Sequence, residues 1–280
     1  MTRAAGRRPK TAAPLAFSAS PPPGAGPGNS LAYGSPDIYD VATGWKLDRE
    51  LDFLDEIFAR HAGSVRRILE PCCGTGRLLL ALAGRGYHVA GYDLNPAMTA
   101  YARKRLEAFG GEVWEGEMSA FAPPGTFDAA LNLVNSIGYL LEDAAFSSHL
   151  DRMGDAVRPG GIYVVQLSYG GEPPDLARFG PWGNRSGDVS TTLLWEVVRE
   201  DAAARRSYQH CRITARRGKE RLVFDEDHVL RYWTHEDVNR LIHASPFELA
   251  AVYWDRFEEF PLEDYRMGEH GNLYHVLRRR

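Results

Sequence analysis

The sequence predicts an α/β protein: a doubly wound, mostly parallel sheet with a small antiparallel β unit inserted late in the chain. Three observations carry this. From Leu47 to Leu167, short apolar runs alternate with helical runs, the rhythm of strand–helix–strand units, whose right-handed crossovers put helices on both faces of a sheet. Three β-rich runs then follow without intervening helices, at Thr191 to Val198, Ser207 to Thr214 and Arg221 to Tyr232. The strand–helix rhythm returns after them.

Leu47, Leu51, Leu54 and Phe58 share one helical face, with Asp48, Asp52, Asp55 and Glu56 off it, which predicts an amphipathic helix. Val65 to Glu70 reads as a short buried strand, Arg77 to Ala83 as a helix and Tyr87 to Asp93 as a second strand. Asn95 caps the next helix with Pro96 at its first position, and Met98, Tyr101, Ala102 and Leu106 form its buried side. Strands at Glu112 to Glu115 and Phe127 to Val134 follow, then a helix carrying Phe146, Leu150, Met153 and Val157. His149 on that helix is expected in solvent. Arg158-Pro159-Gly160-Gly161 reads as a turn into strand Ile162 to Leu167, and residues 169–188, rich in Gly and Pro, as a loop. The chain closes with helix Thr234 to His243, strand Glu248 to Trp254 and strand Leu273 to Leu277.

With 280 residues, 44% of them hydrophobic and 25% charged, the chain has ample material for a globular core. A net charge of −4 argues against a nucleic-acid partner. No apolar run is long enough to span a membrane. Cys72, Cys73 and Cys211 make an odd count with two adjacent, and no His/Cys cluster has metal-ligand spacing, so a reducing, cytoplasmic setting and no metal are expected. Met1 to Ser20 holds Ala, Arg and Ser and no acid, a weak likeness to a transit peptide. Seven of the ten residues from Pro21 to Ser30 are Pro or Gly, so residues 1–30 are expected to be a disordered tail. Residues 31–280 then form one domain, with a core at 45–168 and 234–280 and a β-rich insertion at 169–233.

The chemistry concentrates where the first strand ends, at Glu70-Pro71-Cys72-Cys73-Gly74-Thr75-Gly76. Glycines there let a backbone turn approach a ligand and open a helix. The G-x-G-x-x-G spacing of dinucleotide sites fails, because Leu79 stands where the third glycine belongs. Glu70 at the strand tip would repel a pyrophosphate but suits a cationic ligand. Asp93, ending the second strand, lies 23 residues after Glu70, close to the offset at which an acid meets an adenosine ribose.

In these motifs the chain resembles the class I S-adenosyl-methionine-dependent methyltransferases. The resemblance covers residues 45–167 and runs in order through Ile68 to Arg77, Gly91-Tyr92-Asp93-Leu94-Asn95, Gly116-Glu117-Met118, Phe127-Asp128-Ala129-Ala130-Leu131 and Arg158-Pro159-Gly160-Gly161. It implies a Rossmann-like, seven-stranded sheet with its last strand antiparallel, the insertion acting as a lid. It also implies S-adenosyl-methionine as cofactor, with Asp93 on the ribose and Glu117-Met118 flanking the adenine. Tyr39, Glu70, Cys72, Gly74, Gly76, Leu94, Met98 and Asn135 complete the expected cofactor set. Cys72 stands where that family has its first glycine, and Glu117 where it usually has Asp.

Leu133 to Leu140 follows the fourth strand, where acceptor meets methyl donor in this family. It reads Asn135-Ser136-Ile137-Gly138 rather than the Asn/Asp-Pro-Pro-Tyr of enzymes acting on amides or nucleobases. The likeness is to the subset acting on small amines, sugars or secondary metabolites, in which such an insertion lids the acceptor or supports a homodimer. Ser136, Tyr139, His210 and His228 are the acceptor candidates, and His270 and Tyr265, in the loop before the last strand, could face the acceptor as well; the sequence does not rank the histidines. Tyr33 and Tyr39 are similar to N-terminal aromatics that close over the cofactor. His235 fits a Thr234-x-x-Asp237 helix cap better than a base, and the basic stretch from Arg205 to Arg221 fits solvated strand edges. An NAD(P)-dependent oxidoreductase, a macromolecule methyltransferase and a non-catalytic nucleotide-binding scaffold are the alternative readings.

Overall fold

The computed structural model describes residues 32–169, 178–254, 257–260 and 272–280. Two helices, α1 (Pro36–Ala42) and α2 (Asp48–His61), precede β1 (Arg67–Pro71), α3 (Arg77–Gly84), β2 (His88–Asp93) and α4 (Pro96–Leu106). Then come β3 (Glu112–Glu115), β4 (Phe127–Asn132), α5 (Asp143–Ala156) and β5 (Val157–Ser168). An antiparallel sheet follows, built from β6 (Arg178–Ser186), β7 (Val189–Asp201), β8 (Arg206–Arg217) and β9 (Glu220–Arg231). α6 (His235–His243), β10 (Phe247–Trp254), β11 (Glu259–Phe260) and β12 (Asn272–Arg279) complete the chain.

The main sheet has the order β11-β10-β12-β5-β4-β1-β2-β3. β12 runs antiparallel to both its neighbours, and β1 to β5 are mutually parallel. The expected seven strands are present with the last one antiparallel, and the two-residue β11 adds an eighth at the edge.

Alternating residues of each strand feed opposite faces, as the pleat requires. Leu69, Tyr92 and Ala130 pack with Phe146, Leu150 and Met153 of α5 and with Val238 and Leu241 of α6. Ile68, Val89 and Ala129 pack on the other side with Leu54 and Phe58 of α2, Leu79 and Leu82 of α3, and Ala102 and Leu106 of α4. Each such side chain contributes roughly 1.5–3 kcal/mol by leaving water. Gly91 in β2 lets α3 lie close: a Cβ there would sit 2.7 Å from Leu79 Cδ1 and 2.9 Å from the Glu70 carbonyl.

Four expectations need correction. Residues 178–186 form β6, paired antiparallel with β7, so the segment expected as loop is partly strand. β4 stops at Asn132 rather than Val134, because Val134 and Asn135 turn into the left-handed region at φ 58° and 54°. Val157 leaves the helix and already pairs with Phe127, and the Pro-Gly-Gly turn is a bulge within β5 before Ile162 meets Ala129. His149 is fully buried rather than solvated: its ring lies between α5 and β5, hydrogen-bonded to the Met118 carbonyl and the Tyr163 hydroxyl. The expected cap of α6 is present, with the Thr234 hydroxyl accepting from the Asp237 amide. The Gly- and Pro-rich tail, Tyr265 and His270 lie outside the described residues.

Candidate active site

Chain connections reverse direction between β1 and β4, and the carboxyl ends of these strands and of β2 open into the crevice where such sheets take ligands. The turn after β1 holds its three critical residues at positive φ: Cys72 at 56°, Gly74 at 52° and Gly76 at 70°. Cys72 thus adopts the conformation a glycine would supply, at a backbone cost of about 1–2 kcal/mol, and the turn keeps its form. Gly76 caps α3 in the left-handed conformation, and a Cβ there would come 3.0 Å from the Ala102 Cβ of α4. Around Gly74 a Cβ would meet nothing within 4 Å, so the turn faces open space there.

Asp93 braces this turn. One carboxylate oxygen accepts from the Gly74 N–H at 2.9 Å and the other from the Asn95 N–H at 2.9 Å. Burial raises its pKa, and these amides oppose the rise. The Leu94 amide opposes that rise as well, and a carboxylate has more acceptor sites than these amides use. Glu70 is 9% exposed, and its Oε2 has no hydrogen-bond partner. Burial pushes its pKa up to about 8, with Arg77 opposing the rise and Asp93 adding to it. A buried carboxyl with an orphan oxygen stays costly until a cation reaches it. Arg77 lies over the Trp45 ring at 4.1 Å and donates to the Trp45 carbonyl, next to Glu70 in the same electrostatic field. Glu70 and Arg77 offer a zwitterionic amino acid one partner of each sign.

On the far side of Asp93, the loop after β3 carries Glu117 and Met118. Gly116 N–H donates to the Asp93 carbonyl, and one Glu117 carboxylate oxygen accepts from both the amide and the hydroxyl of Ser119. Met118 is buried, its sulfur 3.6 Å from Asn132 Nδ2. Leu94 is 42% exposed beside Asp93, an apolar side chain held toward solvent. Met98 is buried in the first turn of α4, its amide capped by the Asn95 side chain.

After β4, Val134 and Asn135 are consecutive left-handed residues, a strained pair of the kind that persists only where surroundings over-determine it. Val134 N–H donates to Gln166 Oε1, and Asn135 Oδ1 accepts from the Ser168 amide. The short 3-10 turn Ser136–Tyr139 follows, with the Ser136 hydroxyl tied to the Leu133 carbonyl. Tyr139 ends in a chain of polar groups: its hydroxyl is 2.8 Å from that of Tyr33 and 3.0 Å from His228 Nδ1. Tyr33 packs edge-on against Tyr39, and Trp195 of β7 stacks on the His228 ring at 4.9 Å. The carboxylate of Glu226 lies 3.8 Å from His228 Nε2. Burial keeps Tyr33, Tyr39 and Tyr139 protonated and lowers the His228 pKa.

Tyr39, Tyr139 and His228 therefore meet in one cluster between α1 and the antiparallel sheet. His210 does not join it. Strand alternation puts Cys211 and, across the register, Glu226 on the α1-facing side, while His210 pairs with Asp227 on the opposite face. Its ring there is clamped between Asp225 and Asp227 at 2.5 and 2.7 Å. Much of the basic stretch is likewise paired, through Arg205–Asp237, Arg206–Glu142, Arg212–Asp225 and Arg217–Asp37.

Sequence reasoning missed α1 and what fixes it. Asp40 accepts from the Thr75 hydroxyl at 2.8 Å and pairs with Arg105 of α4, and Arg105 also holds the Thr75 carbonyl. One acid thus seats α1 on the glycine turn. The signal was present, since Ser35-Pro36 is a helix-start pair and Asp37 sits in the first turn. Arg77, Trp45, Asn132, Trp195 and Glu226 were also passed over, and no local motif marks them.

A sheet of this order with a braced glycine turn at its switch point has the place where open α/β sheets take ligands, and the comparisons say what the chain is similar to. Residues 68–161 match the model of a methyltransferase domain. The chain is 26% identical over 212 residues to the dTDP-3-amino-3,6-dideoxy-alpha-D-glucopyranose N,N-dimethyltransferase of Streptomyces fradiae, covering 75% of this chain and 82% of that one. It is 37% identical over 121 residues to the demethylmenaquinone methyltransferase of Thermus thermophilus, covering 41% and 51%. Among solved structures, the S-adenosyl-methionine-bound amino pentose methyltransferase CalS10 of Micromonospora echinaspora superposes with a TM-score of 0.67 at 23% identity, covering 86% and 95%. The sugar N-methyltransferase KedS8 of a Streptoalloteichus species does so with 0.67 at 19%, covering 98% and 100%. Residues 68–161 are thus a methyltransferase domain, the chain is an enzyme of methyl transfer, and S-adenosyl-methionine is its cofactor. The dinucleotide alternative falls with that assignment.

Proposed function

We propose that the enzyme transfers the methyl group of S-adenosyl-methionine to the amine of a small molecule of the amino-sugar class. The observation that carries this is the seating of α1: Asp40 locks it to the glycine turn while Tyr33 reaches Tyr139. Cofactor turn, post-β4 turn and insertion thereby meet at one aromatic cluster, which we take as the acceptor cup for a compact ring bearing polar groups. The dimethyltransferase of Streptomyces fradiae acts, by its name, on such an amino sugar.

Glu70 would take the ammonium of the cofactor, Arg77 its carboxylate, Asp93 the ribose hydroxyls, and Glu117 and Met118 the adenine. The sulfonium methyl is already activated, so the protein chiefly aligns the acceptor lone pair with the carbon–sulfur bond. The tyrosine hydroxyls in the cup are neutral and poor bases, and burial lowers the pKa of the His228 ring, which makes it a weaker base than a free imidazole. An amine acceptor needs only to arrive unprotonated, whereas a hydroxyl acceptor would need a strong base, which favours nitrogen. A macromolecular acceptor is disfavoured by the lidding of the cup and by the net charge of −4. Among the described residues no helix is long and apolar enough to cross a membrane, and three free cysteines suit the cytoplasm. We place the lid in the antiparallel sheet β6 to β9, which could also support a homodimer.

The test is incubation with methyl-labelled cofactor and a nucleoside-diphosphate amino sugar, alongside its hydroxy counterpart. Label on the amino sugar nitrogen alone is the expected result. Label on the hydroxy compound, or on protein or RNA instead, would refute the assignment.

A further inference from the structure

Apart from the acceptor cup, the chain buries a histidine in the main domain that methyl transfer does not obviously need. His149 of α5 is fully buried among Phe146, Leu150 and Met153, a place where an apolar side chain would pack without desolvating a polar ring. Burial lowers its pKa to about 4, so the ring is neutral and has one N–H. A carbonyl oxygen can only accept, so the contact of Nδ1 with the Met118 carbonyl at 3.0 Å fixes the tautomer: Nδ1–H donates. Nε2 then accepts from the Tyr163 hydroxyl of β5 at 2.8 Å. Both nitrogens are used.

The group this arrangement holds is the loop that carries Glu117 and Met118. That loop hangs at one end from Asp93, whose carbonyl takes the Gly116 amide. It folds on itself through Glu117, whose carbonyl takes the Ala120 and Phe121 amides. Phe121 packs against Tyr92 at 4.8 Å and against Gly116, where a Cβ would lie 2.4 Å from its ring. At Met118 the main chain is held by His149 and the side chain by Asn132. Taking Met118 as the adenine wall, as above, we propose that His149 is a positioning residue for the adenine: Tyr163 orients its ring, and Nδ1–H sets the height of the Met118 main chain against the base.

Asparagine and glutamine separate this from simple core packing, since an Asn amide nitrogen mimics Nδ1 and a Gln amide nitrogen mimics Nε2. His149→Asn, His149→Gln and His149→Phe are titrated by calorimetry with S-adenosyl-homocysteine and with 5′-methylthioadenosine, which keeps the adenine and lacks the amino acid. Melting of each ligand-free variant is recorded in parallel. His149→Gln and His149→Phe are expected to lose about tenfold in affinity for both ligands, and His149→Asn to stay within about threefold of wild type. Should His149→Phe not fold, the Asn and Gln variants decide. Equal affinities for those two, losses that follow ligand-free melting temperature, or a loss confined to S-adenosyl-homocysteine would overturn the assignment. A wild-type protein that binds neither ligand would instead refute the cofactor site beneath it.

Discussion

Asp93→Ala is expected to weaken S-adenosyl-homocysteine binding by about ten- to a hundredfold, the loss of one or two charge-assisted hydrogen bonds. The effect is large because the carboxylate has two tasks. In the proposed site it accepts from the ribose hydroxyls, and it already holds the Gly74 and Asn95 amides. Alanine removes the acceptor for the nucleoside and leaves the glycine turn and the start of α4 without their brace. Asp93→Asn should fall between wild type and alanine, because an amide offers one acceptor oxygen and turns an NH2 toward one of the two N–H groups. Calorimetric titration measures the loss, and melting of the ligand-free proteins separates affinity from stability. An alanine variant within twofold of wild type would remove Asp93 from the site.

The second large effect concerns protons. With a pKa of about 8 in the free protein, Glu70 is mostly protonated at neutral pH. An ammonium partner favours the carboxylate and lowers that pKa, so binding must release a proton. The sign follows: as pH falls below about 8, ligand binding competes with protonation of Glu70, and affinity drops by up to about tenfold per pH unit until the bound-state pKa is reached. Titrations at neutral pH in two buffers of different ionisation enthalpy should reveal a release approaching one proton. Glu70→Gln should bind more weakly at pH 8 and lose both the proton release and the slope. A wild-type affinity that is flat from pH 6 to 8 would show that no cation meets Glu70.

These expectations concern residues that were readable in the sequence because local patterns mark them. A strand ending in an acid, a turn with glycines at fixed offsets and a second acid 23 residues on are short-range features, and the structure brings Glu70, Gly74 and Asp93 together. Apolar periodicity likewise marked β1 to β5 and the helices between them. Long-range packing was not readable. His149 looked like a solvated helix position because its partners, the Met118 carbonyl and Tyr163, come from other elements. His210 and His228 are equivalent as letters on β strands, and only the register between β8 and β9 puts them on opposite faces. β6 was hidden by its glycines and its proline, which are tolerated there because it lies at the sheet edge. Asp40 gains its meaning from Thr75 and Arg105, 35 and 65 residues away.

A crystal structure of the protein with S-adenosyl-homocysteine bears most directly on whether this crevice holds a thionucleoside. The ribose hydroxyls should lie on the Asp93 carboxylate, the amino group at Glu70 and the adenine against Met118. A fully occupied ligand bound elsewhere, with the space between Glu70 and Asp93 filled by solvent alone, would contradict it.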